Sequence, residues 1–384
     1  VNVFEKPRRA AAAEHGIVYR HPEEFCAWHF LGGLWRVADG SILAAFTRND
    51  CRYGGPGDVH HDMLSVSRGR ITTIRSGDNG ASWDPASVET VFDMSPTPEE
   101  ISAGGPADYA GEPPLDFLSP DTLMLSGALP AHFVPTAKPW IKLSGDGGRT
   151  WRRPIMLSMG GLTSLSGQGS TVVREDGVPL VALTSVTPDG WTRRPLVYGS
   201  PGGGRTWHFL AFMTPEQDDG SAVSLKQGSP RFGAHRYFYP RPYRLRSCRL
   251  VASMRSQRDP TAVLWTEMFE SEDGGRTWHF LSGVNDWGAP GDIVELDDGR
   301  IVCVYGYRLP PYGIRCRGSE DGGRTWGSEL ILRDDGGSWD LGYPRVIDAG
   351  GGRVLAVYYM NTRDDAVQVN GGVRHIARTL FEPE

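Results

Sequence analysis

One octapeptide, built on serine, aspartate, paired glycines and tryptophan, returns five times along the 384 residues. SEDGGRTW stands at Ser271–Trp278 and again, unchanged, at Ser319–Trp326. SGDGGRTW occupies Ser144–Trp151, SGDNGASW Ser76–Trp83, and SPGGGRTW Ser200–Trp207, where Gly202 replaces the aspartate. Each copy has the chemistry of a turn. Ser and Asp side chains hydrogen-bond local backbone, glycines accept positive φ, and the Trp anchors the turn from below. Spacings of 48 to 71 residues assign one copy to each of a series of similar supersecondary units.

A second signal alternates with the first. Short polar turns (VADG at Val37–Gly40, SPDT at Ser119–Thr122, REDG at Arg174–Gly177, DDGR at Asp297–Arg300) lead into β-rich runs such as SILAAF, LMLSGA, PLVALTS and RIVCVYGY. With RSC at Arg246–Cys248 and AGGGR at Ala349–Arg353 there are six such hairpins against five octapeptides. Six units of about four strands predict an all-β fold, a six-bladed β-propeller of four-stranded antiparallel blades. The expectation is a single domain over 1–384, with blades from about 25 to 381. RHIARTLF, Arg374–Phe381, is expected as the last strand, in a blade shared by both termini.

Composition narrows the function classes. A net charge of −6 with no long basic run points away from nucleic acid and anionic membranes. No run reaches 18 apolar residues, so no spanning helix is expected. The opening VNVFEKPRRAAAAEHG lacks a signal-peptide core, and the compartment stays open between cytoplasmic and secreted with a leader removed. Cys26, Cys51, Cys248, Cys303 and Cys316 form no CxxC pair and no zinc spacing, so they mark no metal site.

In a four-stranded antiparallel blade the first-to-second and third-to-fourth turns share one end. The hairpins and octapeptides fill that end, which leaves first-strand starts and second-to-third loops for the ligand. Those segments include CAWHF (Cys26–Phe30, with His29), SGQGS (Ser166–Ser170, with Gln168), YFYPRPY (Tyr237–Tyr243) and WDLGYPR (Trp339–Arg345). The loops include RNDCRYGGPGDVHHD (Arg48–Asp62), MRSQRD (Met254–Asp259) and YGYRLPPYGIR (Tyr305–Arg315, with Tyr307). Arg, Tyr, His and Asp together suit a site that grips a carboxylate and transfers protons beside it.

The octapeptides match the Asp box, S-x-D-x-G-x-T-W, and over roughly residues 25 to 380 the chain resembles the sialidase-like β-propellers. That resemblance implies three carboxylate-binding arginines, an Asp acid/base and a Tyr nucleophile paired with a Glu. RLVASMRSQ resembles the segment of the second arginine, implying Arg255. YGYRLPPYGIR resembles that of the third, implying Arg308 with Arg315 as competitor. DLGYPRVIDAGGGRVLAVYY resembles the segment opening on the nucleophile, implying Tyr343. The GDVHHD loop takes the place of the acid/base, leaving Asp58, His60, His61 and Asp62 open, with Asp62 and His61 foremost. Two positions depart from the pattern. The position of the first arginine falls near His29, where no arginine stands, and the Glu expected before Pro240 is Tyr239.

Three functions follow from this. The first is an exo-acting glycoside hydrolase removing a terminal sialic, ulosonic or uronic acid from glycans. In it Arg255 and Arg308 grip the carboxylate, Asp62 or His61 protonates the leaving oxygen, and Tyr343 acts at the anomeric carbon, chemistry for which neither a metal nor an organic cofactor is expected. The second is a rhamnose–glucuronate lyase or hydrolase, which some related propellers are and which the His-rich loop favours. The third is a glycan-binding propeller without catalysis. In each, the partner is a carbohydrate bearing a carboxylate; oligomeric state is not readable.

Overall fold

The computed structural model describes residues 6–27, 32–61, 63, 69–94, 114–129, 137–159, 161–162, 164–186, 193–215, 236–257 and 264–383, with backbone only at 166–168. Six small antiparallel sheets account for the regular structure, which is the expected all-β, six-bladed propeller class. The chain divides into two compact units. One comprises residues 1–93, 282–284 and 288–384, the other residues 94–281 and 285–287.

In the first unit, Glu24–Ala27 and Gly33–Arg36 both pair with Ile42–Asp50, which continues to Gly69–Ser76 and Asp84–Asp93. The fifth sheet runs Gly291–Glu295, Ile301–Tyr307, Gly313–Ser319, Leu330–Arg333, with Arg8–Arg9 added in parallel. The sixth runs Gly342–Gly350, Arg353–Met360, His375–Phe381 and Ala13–Tyr19. Ala13 opposes Phe381, so both ends of the chain meet in one blade, as expected. Val302, Val304, Ile314, Leu332, Val354, Ala356 and Tyr358 form one buried cluster beneath the last two sheets. Burying a side chain of that size stabilises by about 1.5–3 kcal/mol relative to exposure.

The second unit holds the other three sheets. The second sheet pairs Leu123–Leu129, Lys138–Ser144 and Ile155–Met156. The third is Ser164–Val173, Pro179–Val186, Arg193–Gly199 and His208–Phe212. The fourth is Arg236–Arg244, Leu250–Gln257, Leu264–Ser271 and His279–Gly283. Leu180, Ala182, Leu250, Ala252, Phe269 and Trp278 pack into one core cluster there.

Every octapeptide joins the last two consecutive strands of its sheet, which are the second and third of the three described in the second sheet and the third and fourth elsewhere, and this explains why there are five. In the sixth sheet those two strands lie at opposite ends of the chain, so no loop exists to carry a copy. The turn itself is a set of repeated bonds. Asp273 Oδ1 accepts the backbone N–H groups of Arg276 and Thr277, both at 2.9 Å, while Oδ2 accepts the Thr277 hydroxyl at 2.7 Å. Ser271 Oγ accepts the Gly275 N–H at 2.9 Å, and the Trp278 indole donates to the Gly275 carbonyl. Gly274 and Gly275 both have positive φ. In equivalent copies the hydroxyls of Ser82 and Thr325 hold Asp78 and Asp321 down to about 2.

Candidate active site

The second-to-third loop of the first sheet is tied down bond by bond. Asp58 Oδ2 accepts the N–H groups of Gly54 and Gly55, at 2.7 and 3.0 Å. That makes Asp58 a brace for the loop. Asn370 donates to the carbonyls of Pro56 and Val59, both at 3.1 Å. Tyr53, held at φ 51°, donates to the Glu24 carbonyl and accepts the Arg374 N–H at 2.8 Å. A non-glycine residue in the left-handed region persists only where its surroundings hold it there.

The loop delivers His61 to a buried carboxylate. His61 Nδ1 lies 2.5 Å from Asp340 Oδ1, and its side chain stays 29% exposed. Asp340 itself is buried and receives two more donors. The Tyr359 hydroxyl reaches Oδ1 at 2.7 Å, and Arg374 Nε reaches Oδ2 at 3.1 Å. Burial alone would raise the Asp340 carboxyl; instead His61, Arg374 and Tyr359 hold it far below the usual carboxylate range. Burial, followed by the Asp340 charge, pushes the Tyr359 phenol well above its ordinary value. Tyr359 therefore remains a neutral donor at physiological pH.

Tyr343, on the strand Gly342–Gly350 that follows Asp340, and Arg308, just after the strand Ile301–Tyr307, come to the same place. Arg308 donates from Nε and Nη2 to the Leu341 carbonyl, at 3.2 and 3.0 Å, and from Nη2 to the Tyr359 hydroxyl at 3.1 Å. Its guanidinium carbon sits 5.0 Å from the Tyr343 ring centroid and 5.5 Å from that of Trp339. Tyr343 is fully buried at φ 49°, on a bulge between Gly342 and Arg345, 6.1 Å from the Tyr359 ring. A bulge of this kind re-aims one side chain out of the alternation of its strand. Trp339, 47% exposed, closes the group with its ring 4.8 Å from that of His61.

Of the residues expected from sequence, His61, Arg308 and Tyr343 are thus brought together in the first unit. Arg315 is placed otherwise: it pairs with Glu329 at 2.6 Å and stacks on Tyr307 at 3.3 Å. Glu329 also takes the Tyr305 hydroxyl at 2.5 Å, so Arg315 and Tyr307 serve a local ion-pair network of the fifth sheet. His60 is exposed. Asp62 and His29 lie outside the described residues, as does the side chain of Gln168. Asp340, Tyr359, Arg374 and Trp339 join this cluster although the sequence pattern alone does not single them out. The one signal for Asp340 is its place in the WDLGYPR segment.

Arg255 and Tyr239 belong to the second unit. Arg255 donates to Gln257 Oε1 at 2.6 Å and lies 5.9 Å from the Tyr239 ring and 5.2 Å from that of Phe238. Tyr239 repeats the Tyr343 arrangement: a Tyr-Pro-Arg triplet, φ 52°, and a bulge between Phe238 and Arg241.

A profile of the BNR repeat-like domain matches residues 121–356. The chain belongs to the BNR repeat-like family. No curated protein sequence matches it. Among solved structures, this BNR repeat-like chain is similar to a protein of unknown function from Dyadobacter fermentans, with 21% identity and a TM-score of 0.68 over 98% of this chain and 99% of that one. It is also similar to Trypanosoma rangeli sialidase in complex with sialic acid, at 13% identity and a TM-score of 0.56. That match covers 97% of this chain but spans only 59% of the sialidase. Phage phi92 endosialidase matches at 10% identity and a TM-score of 0.58, over 97% and 69% of the two chains. At these identities the likeness establishes the sialidase-like propeller fold.

Proposed function

We propose that this chain cleaves glycans that carry an acidic sugar, as an exo-acting glycoside hydrolase releasing a terminal sialic, ulosonic or uronic acid. One observation carries the reading: a partly exposed imidazole, His61, is held by a buried carboxylate beside a guanidinium. Asp340 fixes the ring through Nδ1, which leaves Nε2 as the proton-transfer atom, and it stabilises the imidazolium that results. His61 protonates the leaving oxygen, with Asp62 of the same loop as the other acid. Arg308 faces the substrate carboxylate, and Tyr343 stabilises charge at the anomeric carbon. The solved sialidases of this fold, one of them holding sialic acid, support a carbohydrate partner of this charge.

A second reading, elimination at a rhamnose–glucuronate linkage, is favoured by the identity of the proton-transfer group. Imidazole backed by carboxylate takes a proton as readily as it gives one. In that reading His61 removes the proton α to the uronate carboxylate, the electron pair forms a C4–C5 double bond, and the C4–O bond breaks. The leaving oxygen then takes a proton from the site, and no water is consumed.

The test is a screen of sialylated, ulosonic and glucuronate-bearing oligosaccharides, read for released reducing sugar and for ultraviolet absorbance. Reducing sugar without absorbance supports hydrolysis; absorbance of an unsaturated uronate supports elimination. Binding without turnover would leave a glycan-binding propeller and end the catalytic reading.

A further inference from the structure

Trp339 is the only exposed tryptophan among the described residues, although its neighbours Asp340, Leu341 and Tyr343 are all buried. Its backbone is held on both sides. Ser338 N–H donates to Asn361 Oδ1 at 2.7 Å, the Ser338 hydroxyl accepts from Arg374, and the Leu341 N–H returns to the Trp339 carbonyl at 3.0 Å. The indole is therefore an exposed apolar ring on a fixed support, with the His61 ring 4.8 Å and the Arg308 guanidinium carbon 5.5 Å from its centre. Folding gains nothing from that exposure, since burial of apolar surface is what stabilises the rest of the unit. A rigid aromatic with two χ angles offers contact area at small entropic cost.

We propose that Trp339 is a sugar-binding platform, on which the C–H face of one pyranose ring packs so that its glycosidic oxygen comes to His61. This role rests on the glycan-cleaving reading above and gives that site its ring-recognition residue. It also selects a ligand chemistry: a pyranose with a run of axial hydrogens on one face, adjoining the acidic unit that Arg308 faces.

The experiment compares wild type, Trp339→Phe and Trp339→Ala on the oligosaccharide that wild type cleaves best, with circular dichroism confirming each fold. Trp339→Ala is expected to raise KM about tenfold or more with kcat changed far less, and Trp339→Phe to restore most of the loss. Unchanged KM in Trp339→Ala would overturn the platform while leaving the cleavage reading intact. If no glycan is turned over, saturation-transfer NMR with sialylated and glucuronate-terminated oligosaccharides separates the two. Saturation of the sugar-ring protons that disappears in Trp339→Ala alone keeps the platform and sinks the cleavage reading. Saturation equal in all three proteins, or absent from all three, overturns the platform.

Discussion

His61 Nδ1 and Asp340 Oδ1, 279 positions apart in the chain, stand 2.5 Å from each other, and the carboxylate half of that pair is buried. Asp340 cannot be exchanged cheaply, because Arg374 shares it from an equally buried position. Removing one partner of a buried pair leaves an uncompensated charge, at a cost of about 3–5 kcal/mol. Asp340→Asn is expected to lower thermal stability strongly as well as activity. A melting temperature equal to wild type would show that Arg374 does not depend on Asp340.

Acid should reveal the same carboxylate. A group whose folded pKa is depressed contributes stability that is present above its unfolded value and lost as pH falls through the folded one. Asp340 lies far below the usual carboxylate range, and Asp78 and Asp321 titrate at about 2. Stability is therefore expected to hold down to about pH 4 and then fall steeply below it. Chemical denaturation at neutral pH and on either side of that threshold checks this. In Asp340→Asn the loss on the acid side should be shallower than in wild type.

Arg308→Lys keeps a positive charge but loses the planar fork that reaches both the Leu341 carbonyl and Tyr359. KM for an acidic substrate should rise, by about tenfold for each 1.4 kcal/mol lost. Steady-state kinetics on a matched neutral glycan should show a much smaller effect.

Tyr343→Phe separates the two catalytic readings. The ring packing with Tyr359 and Arg308 survives the change, so the fold should too. If Tyr343 acts at the anomeric carbon, kcat falls by about 10²-fold or more. Elimination driven by His61 would leave kcat within a few fold.

Much of the fold is legible in the sequence because its signals are local. An octapeptide such as Ser271–Trp278 contains its whole hydrogen-bond set, so the eight residues state the turn outright. The shared terminal blade follows from RHIARTLF as the last strand and from the need of a closed propeller to leave no exposed edge. The site is only half legible. Arg308 and Tyr343 sit in segments with a recognisable pattern, whereas Asp340 owes its role to His61, Tyr359 and Arg374, which arrive from three other stretches of chain. Spacing along the sequence does not record such convergence. Arg315 shows the converse, since nothing around it in the sequence marks Glu329 as its partner.

Proton transfer by His61 is tested most directly by turnover of His61→Ala on the best acidic oligosaccharide, with the fold checked by circular dichroism. Loss of the proton-transfer group should lower kcat by about 10²–10⁴-fold. A folded His61→Ala that turns over at the wild-type rate would contradict it.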